Sequence, residues 1–213
     1  MSNLGIFDIV VIVIIMMFSI TMHEIAHGFV AYLRGDNTAK DMGRLTFNPI
    51  AHVDLIGTIL LPLAMLILGS PVVFGWAKPV PVNYNNLKKP KTDIALVAAA
   101  GAATNILIAI IAGLVIRALA LANFLSDGSF IVLYYIFIMN LAFAVLNLIP
   151  IPPLDGSKVL ASFLPRNAAY KYLSINDYVG FLLVMILIAT GIFGNIVLPI
   201  IWFSFKLLTG ITG

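Results

Sequence analysis

Long apolar runs separated by short polar segments organise this chain. Three runs, at residues 4–33, 94–122 and 130–148, are long enough to cross a bilayer, since a spanning helix takes roughly 20 apolar residues. A fourth run covers residues 181–208 and contains bend points at Gly191, Gly194 and Pro199. The pattern predicts an all-α polytopic membrane protein with about four full transmembrane helices. We expect residues 1–213 to form a single membrane-embedded domain.

The segments between the first two long runs predict smaller elements. Residues 56–68 are apolar but short for a span and contain Pro62, which favours a short or re-entrant helix. Residues 45–47 are compatible with a short strand. Residues 74–84 combine aromatic, proline and β-branched residues, which predicts a small β-hairpin-like loop at the membrane interface.

Composition agrees with a membrane protein and restricts the possible chemistry. The chain is 62% hydrophobic and 10% charged, with a mean hydropathy of +1.09, whereas a soluble domain is roughly half apolar and about a quarter charged. The net charge is only +3 and the basic residues are scattered, so we expect the lipid bilayer, and no nucleic acid, as a partner. Cysteine is absent. Metal ligands must therefore come from His, Asp, Glu or Asn.

The basic residues predict the orientation of the chain. If residues 56–68 do not cross the membrane, ten of the twelve basic residues fall on one side, which the positive-inside rule assigns to the cytoplasm. These are Arg34, Lys40, Arg44, Lys78, Lys88, Lys89, Lys91, Lys158, Arg166 and Lys171. If the segment does cross, four of the lysines move to the opposite side. We expect the first arrangement, with the N-terminus outside and the first run retained as a span because it is too long for a signal-peptide core.

The strongest chemical signal lies inside the first apolar run, at His23-Glu24-Ile25-Ala26-His27. On a helix, histidines four residues apart project from the same face, which suits them to hold one zinc ion. Glu24 lies beside them and can take a proton from a water molecule that the metal activates. The motif uses two of three histidines and the chain's only glutamate. His27 lies about 10 Å inside the end of the run, so the predicted metal lies below the membrane surface.

A catalytic zinc ion usually takes three protein ligands, and Asp155 is the candidate for the third. It follows the third span in Asn147-Leu148-Ile149-Pro150-Ile151-Pro152-Pro153-Leu154-Asp155-Gly156, where the prolines must break the helix. A carboxylate at membrane depth is costly unless it meets a cation. The alternative is that Asp155 caps the helix that follows. His52 could be a further ligand or a proton shuttle, although a hydrogen bond to Asp54 is the simpler expectation.

Together, the two motifs resemble the site-2 protease family of intramembrane zinc metalloproteases, in particular its short prokaryotic branch without regulatory domains. The resemblance implies one zinc ion per chain, bound by His23, His27 and Asp155, with Glu24 as general base and acid. It also implies that Asn147 orients the substrate or stabilises the developing oxyanion. It implies, further, regulated intramembrane proteolysis of a transmembrane protein or peptide by a multi-pass protein of the bacterial cell membrane, with its active site towards the cytoplasm. The family often has Gly-Pro-x-x-Asn in the intervening span; here the proline is missing, which leaves the role of Asn105 open.

One other function stays open on the residues alone. A membrane metal-ion transporter or metal sensor could use the same His and Asp site. Such a site would not need the glutamate inside the motif, and the chain has no inverted repeat of the kind found in transporters. A di-iron oxygenase or desaturase is excluded because its site needs many more histidines than the three present. The sequence does not predict an oligomeric state.

Overall fold

All regular structure is helical in the part of the chain that the computed structural model describes, residues 6–60, 64 and 77–211. The α-helices are α1 (Ile6–Leu33), α2 (Thr38–Asp41), α3 (Pro90–Leu121), α4 (Asp127–Asn147), α5 (Asp155–Phe163), α6 (Arg166–Leu173), α7 (Asp177–Ala189) and α8 (Ile192–Thr209). Short 3-10 turns cover Pro49–His52 and Tyr84–Asn86, and a π-helical turn covers Leu55–Leu60.

Four of the described helices are long and apolar enough to cross a membrane. The qualifying segments are Asp8–Leu33, Lys91–Leu121, Asp127–Asn147 and Ile192–Thr209. Helices α6 and α7 meet at a bend of 74° and would supply a fifth crossing if they act as one broken span. The prediction of an all-α polytopic membrane protein with about four full spans is confirmed.

The last apolar run differs from the prediction in one respect. It is divided into α7 and α8 at Gly191, whose φ of +75° lies in the left-handed region. Glycine adopts that conformation without steric cost because it has no Cβ. Gly194 and Pro199, the other predicted bend points, both lie within α8. Residues 181–208 are therefore two helices joined by a tight turn.

The predicted strands are wrong. No strand forms at residues 45–47 or 77–84, and residues 74–76 lie outside the described part. The donors and acceptors that a hairpin needs are missing or used elsewhere. Pro79 and Pro81 have no N–H group, and the Val80 N–H donates to the Glu24 carboxylate. Of the predicted short helix at residues 56–68, only residues 56–60 and 64 are described, and the turn at Leu55–Leu60 is part of it.

Helix α3 lies at the centre of the bundle and contacts α1, α4, α5 and α8. Its buried faces carry small residues, among them Ala98, Ala102, Ala109 and Ala112, which let neighbouring helices approach closely. One half of α3 packs with α4 and α8 around an apolar core that includes Phe137. The other half faces α1 and α5. The polar residues described next lie in that half.

Candidate metal site

The two histidines of the motif lie on the buried face of α1. His23 is 6% exposed and His27 is 8% exposed. The centroids of their rings are 4.6 Å apart, as expected for residues one turn apart on a helix. Both rings point into the bundle towards α3 and α5, so the helix places two imidazoles side by side in an apolar environment.

Asp155 reaches the same point from the opposite side. It is the first residue of α5, and the N-cap position belongs to Leu154, so the alternative that Asp155 serves as the helix cap does not describe this site. The Oδ2 atom of Asp155 lies 3.1 Å from His23 Nε2 and 2.9 Å from His27 Nε2. Gly156 permits this approach, because a Cβ there would lie 2.2 Å from the Leu148 carbonyl oxygen.

The three side chains have the geometry of a metal site. One ligand atom from each of His23, His27 and Asp155 lies within 4.8 Å of the others. The two contacts to Asp155 Oδ2 are close to the edge of roughly 3.3 Å that a tetrahedron with zinc–ligand bonds of about 2.0–2.1 Å requires. Two imidazoles and a carboxylate are also a donor set that zinc accepts in catalytic sites. The residues therefore fit a zinc ion.

Helix α3 supplies a partner for the second nitrogen of each imidazole. His27 Nδ1 lies 2.7 Å from the Val97 carbonyl oxygen, which can only accept, so Nδ1 carries the proton. His23 Nδ1 lies 3.2 Å from Asn105 Oδ1. Donation from both Nδ1 atoms leaves both Nε2 atoms free to bind a metal. Asn105, whose role the sequence left open, is completely buried and holds His23 in this tautomer.

The cavity beside the three side chains is about 250 Å³ in volume and has a mostly apolar lining. Glu24 lines it, and Glu24 Oε2 accepts a hydrogen bond of 2.7 Å from the Val80 N–H. Val80 belongs to the irregular segment 77–83, which we call the strap and which lines the cavity with four of its residues. The Arg44 guanidinium fixes the strap by donating to the Lys78 carbonyl oxygen at 3.0 Å.

Asn147 lines the same cavity at the end of α4. Its Nδ2 donates to the Phe143 carbonyl oxygen at 3.0 Å, one turn back along the helix. His52 is not part of the group of ligand atoms. Its Nε2 hydrogen-bonds to the Thr46 carbonyl oxygen at 3.0 Å and not to Asp54, whose carboxylate caps the following turn at Ile56 and Gly57.

Lys158 also belongs to this site, although the sequence identified it only as one of the basic residues. Its Nζ lies 3.0 Å from Asp155 Oδ1, and it lines the cavity with the other residues. The available signal was the spacing of three residues between Asp155 and Lys158 on an amphipathic helix, since side chains three apart are neighbours.

Comparison with known proteins adds a consistent result. Residues 115–187 match the sequence profile described as "Peptidase family M50". YwhC of Bacillus subtilis (strain 168), named a zinc metalloprotease, is 36% identical over 195 residues, which cover 89% of this chain and 85% of that relative. Rip2 of Mycolicibacterium smegmatis, also named a zinc metalloprotease, is 28% identical over 193 residues, covering 89% of this chain and 70% of the relative. No solved structure matches the chain.

Proposed function

Because the chain belongs to peptidase family M50, the site-2 protease family of zinc metalloproteases, we propose that it is an intramembrane endopeptidase. Its substrates are membrane proteins, which it cuts in or near a transmembrane segment. The observation that carries the proposal is the meeting of His23, His27 and Asp155 inside a bundle of apolar helices, with Glu24 lining the same cavity. The catalytic unit is a single membrane-embedded domain.

Five side chains take part in the proposed reaction. His23, His27 and Asp155 hold one zinc ion through Nε2, Nε2 and Oδ2. When bound, zinc activates a water molecule and polarises the substrate carbonyl group. Glu24 takes the proton from the attacking water and later returns it to the leaving amine. Asn147 donates from Nδ2 to the substrate carbonyl oxygen as negative charge develops there, in place of its bond to Phe143.

The location of the cavity supports a transmembrane substrate. His27 lies six residues before the end of α1 at Leu33, which is about 9 Å along the helix. A substrate bond that reaches this depth comes from within or close to the bilayer. A transmembrane helix satisfies its own backbone hydrogen bonds, so the substrate must unwind locally before Glu24 and Asn147 can act on one of its peptide bonds.

The proposed location is the bacterial cell membrane, because the compared relatives come from Bacillus and mycobacteria. The concentration of basic residues on one face supports a cytoplasmic position for the end of α1 nearest the site. The substrates that suit such a site are single-pass proteins, for example membrane-held regulators or signal-peptide remnants. Cleavage of a held regulator would be regulated intramembrane proteolysis.

The test measures zinc content and cleavage of a model single-span substrate by the purified full chain in detergent. We expect one zinc ion per wild-type chain. Glu24→Gln should keep the metal and lose at least about 100-fold in turnover, since a positioned general base contributes roughly that much or more. Asp155→Ala should lose both metal and activity. A metal transporter would instead keep its ion flux in Glu24→Gln.

Asp127→Ala is the matched control for Asp155→Ala. Both aspartates are the first residue of a helix, but Asp127 is exposed and does not belong to the group of ligand atoms. Asp127→Ala should retain zinc and cleavage. Full cleavage by Glu24→Gln would refute the assigned mechanism, and zinc retained in Asp155→Ala would refute the assigned third ligand.

A further inference from the structure

The two oxygens of Asp155 have different partners. Oδ2 faces His23 Nε2 and His27 Nε2 at 3.1 and 2.9 Å. Oδ1 accepts a hydrogen bond of 3.0 Å from the Lys158 ammonium group. One oxygen of the carboxylate therefore faces the two imidazoles, and the other accepts a hydrogen bond from a cation.

The backbone around this pair is firmly placed. Asp155 and Lys158 belong to the same first turn of α5. The residues between them, Gly156 and Ser157, are both buried, and Ser157 is 1% exposed. Gly156 lies directly against the end of α4, where a Cβ would be 2.6 Å from the Ile149 carbonyl oxygen. The first turn of α5 is therefore packed closely against the end of α4, and Lys158 reaches Oδ1 from within this turn.

A carboxylate with two free oxygens can bind a metal through both of them. A second bond from Asp155 would occupy space that a catalytic site keeps for water, since such zinc sites combine three protein ligands with one open position. Groups that hydrogen-bond to the ligands orient them and tune the metal. Asn105 and the Val97 carbonyl do this for the two histidines.

We propose that Lys158 is a positioning residue that restricts Asp155 to a single metal bond through Oδ2 and thereby keeps one coordination position open for water. The inference rests on the proposed zinc ligands. In this role Lys158 makes no contact with the substrate. Removing its side chain should therefore lower kcat and leave KM nearly unchanged. By analogy with other groups that support metal ligands, the loss of kcat should be about 10- to 100-fold.

The deciding experiment uses cobalt(II) in place of zinc in the purified full chain. Four-coordinate cobalt absorbs visible light much more strongly than five- or six-coordinate cobalt, so the spectrum reports the number of ligands. We expect intense bands for the wild type and for Lys158→Arg, because a guanidinium can still donate to Oδ1. Lys158→Met should bind cobalt with a clear loss of band intensity, because Oδ1 is then free to bind. Lys171→Met, an exposed lysine on α6, is the control for loss of one positive charge and should match the wild type.

The outcomes separate this inference from the proposed ligands. An unchanged cobalt spectrum in Lys158→Met would overturn the role of Lys158 and leave the ligand set standing. A wild-type spectrum in Asp155→Ala would overturn the ligand set itself. If Lys158→Met is not recovered as folded protein, Lys158→Gln makes the same comparison. Its uncharged side chain is one atom shorter and should not reach Oδ1, so the same loss of intensity is expected and its absence contradicts the inference.

Discussion

Asn105 shows how much of the candidate metal site depends on single residues outside the sequence motifs. It is completely buried, and its Oδ1 accepts from His23 Nδ1. Asn105→Ala removes this acceptor, so His23 can rotate or change tautomer. We expect zinc affinity to fall by about 10- to 100-fold, as for other groups that orient metal ligands. Competition with a chelator measures the affinity.

Asn140→Ala is the control for that substitution. Asn140 is an equally buried asparagine, but its Nδ2 donates to Ser19 Oγ at 2.8 Å. Its loss should reduce the stability of the bundle and leave the zinc affinity of the folded protein unchanged. Equal losses of zinc affinity in the two variants would mean that Asn105 acts only through packing.

Gly101 contributes to the same site by having no side chain. A Cβ at this position would lie 2.5 Å from His23 Nε2, which is far inside van der Waals contact. Gly101→Ala should therefore displace the His23 ring and lower the zinc content of the purified protein. Gly128→Ala adds the same methyl group where nothing lies within 4 Å and should leave zinc content unchanged. Normal zinc binding by Gly101→Ala would show that the ring can move without cost to the site.

At the scale of elements, α7 packs against the loop that leads into Asp155. At Gly180 the helix lies so close to that loop that a Cβ would be 1.5 Å from the Pro152 carbonyl oxygen. Gly180→Ala must push α7 and the loop apart. We expect a loss of about 1–3 kcal/mol in stability, typical of overpacking, together with weaker zinc binding. Thermal unfolding with and without added zinc measures both effects.

Gly194→Ala, in α8, provides the comparison, because nothing lies within 4 Å of a Cβ at that position. Alanine also has the higher helix propensity. The variant should be as stable as the wild type or slightly more stable. If Gly180→Ala behaves in the same way, the contact between α7 and the loop does not support the site.

The turn after α1 is held by one carboxylate. Asp36 accepts from the Asn83 N–H at 2.7 Å and from Asn86 Nδ2 at 2.8 Å, which joins α1 to the end of the strap. Burial alone would raise the pKa of Asp36, but the hydrogen bonds from Thr38, Asn86 and Asn83 outweigh it and lower the pKa below its usual value. The charged form is therefore the one that the fold stabilises.

A lowered pKa determines the sign of the pH dependence. The stabilisation from Asp36 is fully present above the usual carboxyl pKa and is lost as the pH falls through the lowered pKa. We expect wild type to be more stable than Asp36→Asn at neutral pH and the difference to shrink towards about pH 3. Thermal unfolding across that range measures it. A difference that is constant with pH would show that the charge of Asp36 does not contribute.

Elements that depend on hydrophobic runs could be predicted from the sequence, and elements that depend on distant partners could not. The first run was predicted at residues 4–33 and forms Ile6–Leu33, because the length of an apolar run determines the helix. The β-hairpin-like loop expected at residues 74–84 forms no strand in its described part, where the Val80 N–H bonds to Glu24, which lies 56 residues earlier. The same limit applies to the site. The motif gives the spacing of the histidines, whereas the partner of His23 comes from 82 residues away.

At the scale of the whole molecule, contacts between chain segments determine which helix ends share a face. The Lys88 N–H donates to the Arg34 carbonyl oxygen at 3.3 Å, and Arg34 also forms an ion pair with Asp93 at 3.7 Å. The end of α1 and the start of α3 therefore lie on the same side, whatever path residues 61–76 take. The end of the strap is on this side as well, since the Asn83 N–H donates to the Asp36 carboxylate at 2.7 Å. This arrangement keeps the basic residues between 34 and 91 together, as the positive-inside rule requires of a cytoplasmic face.

The absence of cysteine makes the orientation directly testable in cells. Asn85 and Phe124 are both exposed, but they lie at opposite ends of α3. With basic loops in the cytoplasm, a membrane-impermeant maleimide should label Phe124→Cys in intact cells and label Asn85→Cys only after the cells are opened. The reverse pattern would refute the proposed orientation.

Thr190→Cys, in the turn between α7 and α8, then decides between four crossings and five. Labelling in intact cells would mean that α6 and α7 together cross the membrane, which would return α8 and the C-terminus to the cytoplasmic side.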